Sequence, residues 1–189
     1  IPSRLKAQRF PNKPLKLING KEMILHVYDL AKNSNVGDVL VVTPDNDIDY
    51  LIKKNGGNSF LSTDHHNTGT DRVFEAFKKF YFNKPNIIIN LQGDMPNLNP
   101  KDIVQLNEYM KKGLCDLATL GSSLIKEEEI TDINVVKVIA DNDIKKSGFS
   151  KALDFKRDLI NQNDKFIYHH IGIYAFTSQA LMRYVNLKR

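Results

Sequence analysis

Cysteine is nearly missing from this chain, with Cys115 standing alone among 189 residues. A lone thiol excludes an internal disulfide and any cysteine zinc cluster, so packing must hold the fold, and a reducing compartment, the cytoplasm, is expected. Long hydrophobic runs are missing too. The longest, NIIINL over 86–91, has strand length and falls well short of the roughly 18 residues of a membrane span. No signal peptide is visible, and no membrane partner is expected. Without a Gly-rich Walker loop or a GxSxG elbow, P-loop hydrolysis and serine-esterase chemistry have no support. Acidic residues are absent from the opening stretch IPSRLKAQRFPNKPL, which carries four cations, Arg4, Lys6, Arg9 and Lys13.

What is present describes a globular protein. Hydrophobic residues make up 41% and charged residues 26%, so the chain can bury a core. The length suits one domain, and neither an internal repeat nor a low-complexity linker interrupts it, so a single domain over 1–189 is expected. The first residue is Ile, and the chain stops within a helical pattern, YVNLKR. Both ends therefore look cut. The net charge of +5 favours an anionic partner, whether nucleic acid, a phosphorylated substrate or a membrane surface.

Short runs rich in β-branched residues, DVLVVT (38–43), NIIINL (86–91), VVKVIA (135–140) and IGIYAF (171–176), read as buried strands. Amphipathic stretches lie between the earlier ones: KEMILHVYDLAKN, DIDYLIKKNGG, TDRVFEAFKKFYF and PKDIVQLNEYMKKG. Three of them end in helix-stop residues, Asn33, Gly56 and Gly113. This alternation predicts an α/β fold, a Rossmann-like three-layer sandwich with a mainly parallel sheet. From about residue 115 the strands follow one another with charged connections such as IKEEEITD, which predicts a mixed edge or a flap.

In an open α/β sheet ligands bind beyond the carboxyl ends of the strands. Three segments are candidates there. The prolines at 2, 11 and 14 disfavour helix, so the opening cations lie on an extended loop able to wrap an anion such as a triphosphate; a solvated basic loop would read the same way. In NLQGDMPNLNP a buried strand ends and is followed at once by Gln92, Gly93 and Asp94. A carboxylate there can hold Mg²⁺ against phosphates, and a simple turn is the alternative. In HHNTGTDRVFEAF, Thr68, Gly69 and Thr70 precede a helix that Thr70 would cap. Adjacent histidines at 65–66 and 169–170 point to opposite faces of a strand, which argues against a His metal site. Cys115 reads as core. The phenylalanines of RVFEAFKKFYF recur at helical spacing and belong to a core, which argues against a nucleic-acid-binding module.

Taken together, six stretches in order resemble the CMP-Kdo synthetases, the 3-deoxy-manno-octulosonate cytidylyltransferases. IPSRLKAQRFPNKPL is similar to their opening signature, NGKEMILHVY to NGKPMIxHV, TGTDRV to SGTDR, NLQGDMP to NxQGDEP, NVVKV to NxVKV and HHIGIYAF to RHxGIYxY. The resemblance implies a CTP-dependent transferase that activates the acid sugar Kdo as CMP-Kdo with release of pyrophosphate, in lipopolysaccharide biosynthesis, with Mg²⁺ as cofactor and a homodimer as the assembly. By the same resemblance Arg4 and Lys13 would bind the nucleotide phosphates, and Ser3 would be a further nucleotide contact. Thr68, Gly69 and Thr70 would line the cytosine pocket, Gln92 would act at base or ribose, and Asp94 would ligate the metal. Arg4, Lys13 and Asp94 form the implied catalytic set; Arg9, Lys151, His170 and Tyr174 fall at sugar positions. Asn12 stands where the family has Gly, Met95 where it has Glu, and Lys151 replaces an arginine. A second metal-ligating Asp, and a Glu and Gln segment that contacts sugar and dimer partner, would lie beyond residue 189, without which loss of activity is expected. An amino-Kdo or a sialic acid is the alternative sugar, with HIGIYAF favouring Kdo over sialic acid. A sugar 1-phosphate nucleotidyltransferase would need a GGxGTR opening that this sequence lacks. The departures also leave room for a catalytically dead homologue.

Overall fold

A computed structural model describes residues 1–6, 10–62, 66–81, 85–124, 127–158 and 166–187. Its contacts divide into two compact units, Ile1–Ala118 with Ile173–Arg189, and Thr119–Gly172.

In the first unit, Lys13–Leu15 forms a 3₁₀ turn on the buried Pro14. Strands β1 (Leu17–Ile18) and β2 (Lys21–Glu22) make a small antiparallel hairpin. Helix α1 (Met23–Ser34) follows, then β3 (Val41–Thr43), α2 (Asn46–Lys54) and β4 (Ser59–Leu61). Strands β3 and β4 pair in parallel, Val42 opposite Phe60, as a βαβ unit requires. Pro2 adds a parallel bridge to Val42. Helix α3 (Gly69–Ala76) runs into a π-helical turn, Phe77–Tyr81, and β5 (Ile87–Asn90) leads to α4 (Pro100–Lys111). Ile24, Val27, Val41, Ile48 and Ile52 are completely buried. Phe77 packs with Val73, Phe176 and Leu181, with Phe74 against them, so two of these phenylalanines serve a core; Phe82 lies outside the described residues. Phe80 is exposed and meets Phe60 edge-on.

The second unit takes in most of β6 (Leu117–Ser122), α5 (Glu127–Thr131), β7 (Lys137–Ala140), the one-turn α6 (Ile144–Ser147) and β8 (Ala152–Lys156). The charged connection IKEEEITD thus holds a helical turn. Strand β9 (Ile167–Thr177) gives its first half to this unit and its second half, with α7 (Ser178–Val185), to the first. β7 pairs antiparallel with β8 and with β9, and β5 pairs antiparallel with β9, Asn90 opposite Tyr174. The expectation of a mainly parallel sheet is corrected accordingly: parallel pairing among the described ladders is confined to β3–β4 and the Pro2 bridge. For the β7–β8 pair the cause is connection length. A parallel return needs a crossover of a dozen or more residues, and the segment from β7 to β8 holds only the short α6.

Other expectations shift locally. Helix α1 runs past Asn33, and Asn35 takes the left-handed C-terminal position at φ 51°. Gly56 and Gly113 take the same region at φ 73° and 68°, as helix-stop glycines do. Cys115 is only half-buried, its thiol 3.8 Å from Met110 Sδ, and burial pushes its pKa up.

Candidate active site

The opening segment is held by backbone bonds at several points. Ser3 N donates to Val42 O at 3.0 Å, and Val42 N to Ile1 O at 2.9 Å. Leu5 N donates to Asp45 Oδ2 at 2.8 Å, and Asn12 N returns to Leu5 O at 3.1 Å. Leu5 and Asn12 are thereby drawn together, and Arg4, beside Leu5, is exposed. Arg9 lies outside the described residues. Asn12 adopts φ 56°, ψ 22°, a left-handed conformation that Gly adopts freely and Asn better than most side chains. The replacement of Gly therefore keeps the backbone path.

Lys13 Nζ donates to Asp94 Oδ2 at 2.8 Å. This bond joins the basic opening to the segment directly after β5. Two glycines bring the chains close enough for it. A Cβ on Gly93 would sit 3.0 Å from Pro2 O and 3.2 Å from both Ile24 Cδ1 and Ser3 Cβ, and one on Gly69 would sit 3.1 Å from Pro2 Cγ. Only a residue without a side chain lets a neighbouring backbone approach this closely. The opening, the α3 start and the segment after β5 thus meet at Pro2 and Ser3. The Ser3 hydroxyl is buried there and has no hydrogen-bond partner among the described residues.

The N-cap of α3 is Thr68, not Thr70 as expected. Asp71 decides this: its carboxylate accepts from Thr68 N at 3.0 Å while Asp71 N donates to Thr68 Oγ1 at 3.3 Å, a reciprocal capping box. Thr70 lies inside the first turn, and its Oγ1 accepts from Asn90 Nδ2 at 3.1 Å. Gln92 Nε2 in turn donates to Asn90 Oδ1 at 3.4 Å.

Sequence reasoning missed three residues here. Asn90 is completely buried and bonds two of the candidates. Asp45 anchors Leu5, and it follows β3, so the rule that sites lie beyond strand ends could have found it. Arg72 is buried, its Nε without a partner among the described residues. Its pKa is lowered by burial and then by Arg4, while Asp45 and Glu75 oppose the shift. Glu75 also accepts from Ser62 Oγ, and His66 Nε2 lies 2.7 Å from the same oxygen; His65 falls outside the described residues. A cavity of about 790 Å³ lies elsewhere: its mainly apolar wall includes Val42, Val73, Phe77 and Ile89 and none of the candidate residues. Such walls cannot solvate a triphosphate.

Of the sugar candidates, Tyr174 lies opposite Asn90 on β9, and burial, with Tyr184 nearby, raises its pKa. Lys151 and His170 belong to the second unit. Lys151 is exposed, and its carbonyl accepts from Asp141 N. The Thr119 hydroxyl donates to Ile171 O at 3.0 Å, so His170 Nε2, 3.0 Å from that hydroxyl, acts as donor to it. Burial, then His169, lowers the His170 pKa, and its ring meets Phe155 edge-on at 4.9 Å.

The sequence profile of the cytidylyltransferases matches residues 1–189. The 3-deoxy-manno-octulosonate cytidylyltransferase of Bartonella quintana (strain Toulouse) is 38% identical over 189 residues, covering all of this chain and 77% of that protein. This chain belongs to the 3-deoxy-manno-octulosonate cytidylyltransferase family. The family member of Wigglesworthia glossinidia brevipalpis is 39% identical over 192 residues, covering 97% of this chain and 76% of its own. A solved CMP:2-keto-3-deoxy-manno-octonic acid synthetase, complexed with CTP, superposes with a TM-score of 0.87 at 33% identity, covering 100% of this chain and 76% of that one. A 4-diphosphocytidyl-2C-methyl-D-erythritol synthase from Anaerococcus prevotii, at 13% identity and a TM-score of 0.59, shares the fold.

Proposed function

We propose that this chain catalyses transfer of CMP from CTP to Kdo, with pyrophosphate as the other product, in lipopolysaccharide biosynthesis. The observation that carries the reading is the contact of Lys13 with Asp94 at 2.8 Å, where the opening loop, the start of α3 and the strand end meet. A cation and a carboxylate at one junction are what a metal–triphosphate complex demands. In the reaction the anomeric hydroxyl oxygen bonds to the α-phosphorus, the bond to the β-phosphate oxygen breaks, and the hydroxyl proton leaves to solvent. Arg4 and Lys13 hold the phosphates by charge-assisted hydrogen bonds, with Ser3 beside them. Thr68, Gly69 and Thr70 line the base pocket, and Gln92 acts at base or ribose. Catalysis of this kind rests on positioning and on offsetting charge.

Mg²⁺ fits the donor set. Asp94 keeps half of its side chain exposed, and this ion takes one or two carboxylates and leaves its other positions to water and phosphate. Asp94 would hold it, and when bound it would neutralise charge on the phosphates. Arg9, Lys151, His170 and Tyr174 are assigned to the sugar. The two compact units act as one cytidylyltransferase domain, a reading supported by a family match that spans both. The enzyme works in the cytoplasm as a homodimer and on small-molecule substrates alone. Pyrophosphate release from CTP, Mg²⁺ and Kdo tests the reading, with UTP and sialic acid as controls. Turnover with sialic acid in preference to Kdo, or none with CTP, would overturn it.

A further inference from the structure

The completely buried side chain of Asn90 sits where two nucleotide candidates meet, and it touches both. A buried primary amide must satisfy two donors and a carbonyl. Here its Nδ2 donates to Thr70 Oγ1 at 3.1 Å and its Oδ1 accepts from Gln92 Nε2 at 3.4 Å. Both bonds have a direction. Because Thr70 Oγ1 accepts from Asn90, its own proton is left for another acceptor. Because Gln92 turns its nitrogen toward Asn90, its Oε1 faces the other way, 3.6 Å from where a Cβ on Gly69 would lie. Asn90 is the last residue of β5: the three residues before it are half-buried, it alone is fully buried, and its amide reaches Thr70 in the first turn of α3.

We propose that Asn90 is a positioning residue for the nucleotide site, fixing Thr70 as a hydrogen-bond donor and Gln92 as an acceptor toward the bound nucleotide. The inference rests on the reading of Thr68 to Thr70 and Gln92 as nucleotide contacts. Asn90 touches no substrate itself. Its effect is to remove the rotational freedom of two polar groups before CTP arrives, which lowers the cost of binding, and to prevent either group from presenting the wrong polarity.

The test is Asn90→Asp, which matches the native side chain in shape but can only accept. Gln92 Nε2 keeps its partner, whereas the Thr70 hydroxyl must turn round and donate to the new carboxylate. The expected result in the full chain is a KM for CTP raised about tenfold, one hydrogen bond's contribution near a charged ligand, with the KM for Kdo and kcat within threefold of the parent. Thr70→Val and the double variant complete a cycle. If Asn90 acts through Thr70, Asn90→Asp adds less than twofold in the Thr70→Val background. A KM for CTP within twofold of the parent in Asn90→Asp would overturn the proposal. So would equal losses for both substrates accompanied by a fall in melting temperature, or full multiplication of the two costs, as a diffuse effect of the new charge would give. Pyrophosphate release by the parent is read first and judges the function separately from the role of Asn90.

Discussion

Replacing Lys13 by Met separates what the Lys13–Asp94 pair does for folding from what it does for the nucleotide. The two side chains are 34% and 50% exposed, and a pair so open to water contributes about 0–1 kcal/mol to stability. For a domain of this size that is a melting shift of roughly 2–4 °C at most. Against a triphosphate, as proposed, the same ammonium would make a charge-assisted hydrogen bond worth about 1.5–3 kcal/mol. At about 1.4 kcal/mol per tenfold, kcat/KM for CTP should fall by roughly 10- to 150-fold. The assay is steady-state pyrophosphate release over a range of CTP concentrations, paired with a thermal melt of each protein. A loss below threefold, or a melting point lowered by more than about 5 °C with activity otherwise intact, would refute the reasoning and leave the pair as a structural strut.

Three further outcomes follow from the geometry. Gly93→Ala places a methyl 3.0 Å from the Pro2 carbonyl, which backbone must move to relieve; a cost of about 1–3 kcal/mol should appear in urea unfolding, together with a weaker affinity for CTP. Asn12→Gly should leave stability unchanged or slightly raised, whereas Asn12→Val should lose about 1–2 kcal/mol by forcing a β-branched residue into the left-handed region, as a paired melt would read. His170 titrates below its ordinary value of 6.5 because it is buried, so the unfolded chain binds its proton first. Its contribution is present above pH 6.5 and is lost as the pH falls through the depressed value. Melts between pH 7.5 and 5 should decline less steeply in His170→Gln than in the parent.

Strands β3, β5, β7 and β9 and helices α1 to α4 were legible because hydrophobic period and stop residues are local signals, and α2 and α4 end at or near the glycines expected; β1, β2 and β4, two or three residues long, and the exposed β8 carry no such signal. Strand direction was not legible. The pattern of β7 and β9 marks them as buried, but a buried strand reads alike in either orientation, and the short link through α6 excludes a parallel return only between β7 and β8. At the site, Lys13 and Asp94 could be named from their segments, whereas the cap of α3 went to Thr68 because Asp71 chooses its partner by geometry that spacing alone leaves open. Asn90 and Arg72 escaped attention for a common reason. Each sits inside a stretch that matched the family, yet their roles lie in what they touch across the fold, Thr70 and Gln92 for one, the surroundings of Arg4 and Asp45 for the other.

The crowding at Pro2 limits how this enzyme can change. Positions 2, 69 and 93 are remote in the chain, yet Pro2 fills the space beside both glycines, its ring at Gly69 and its carbonyl at Gly93, so a bulkier residue at either has nowhere to go unless Pro2 retreats. Variants here cannot be assembled one at a time in arbitrary order. A lineage drifting toward another nucleotide or sugar would find these three sites closed, and its innovations would accumulate on the rim instead, among solvent-facing residues such as Lys6 and Asn67.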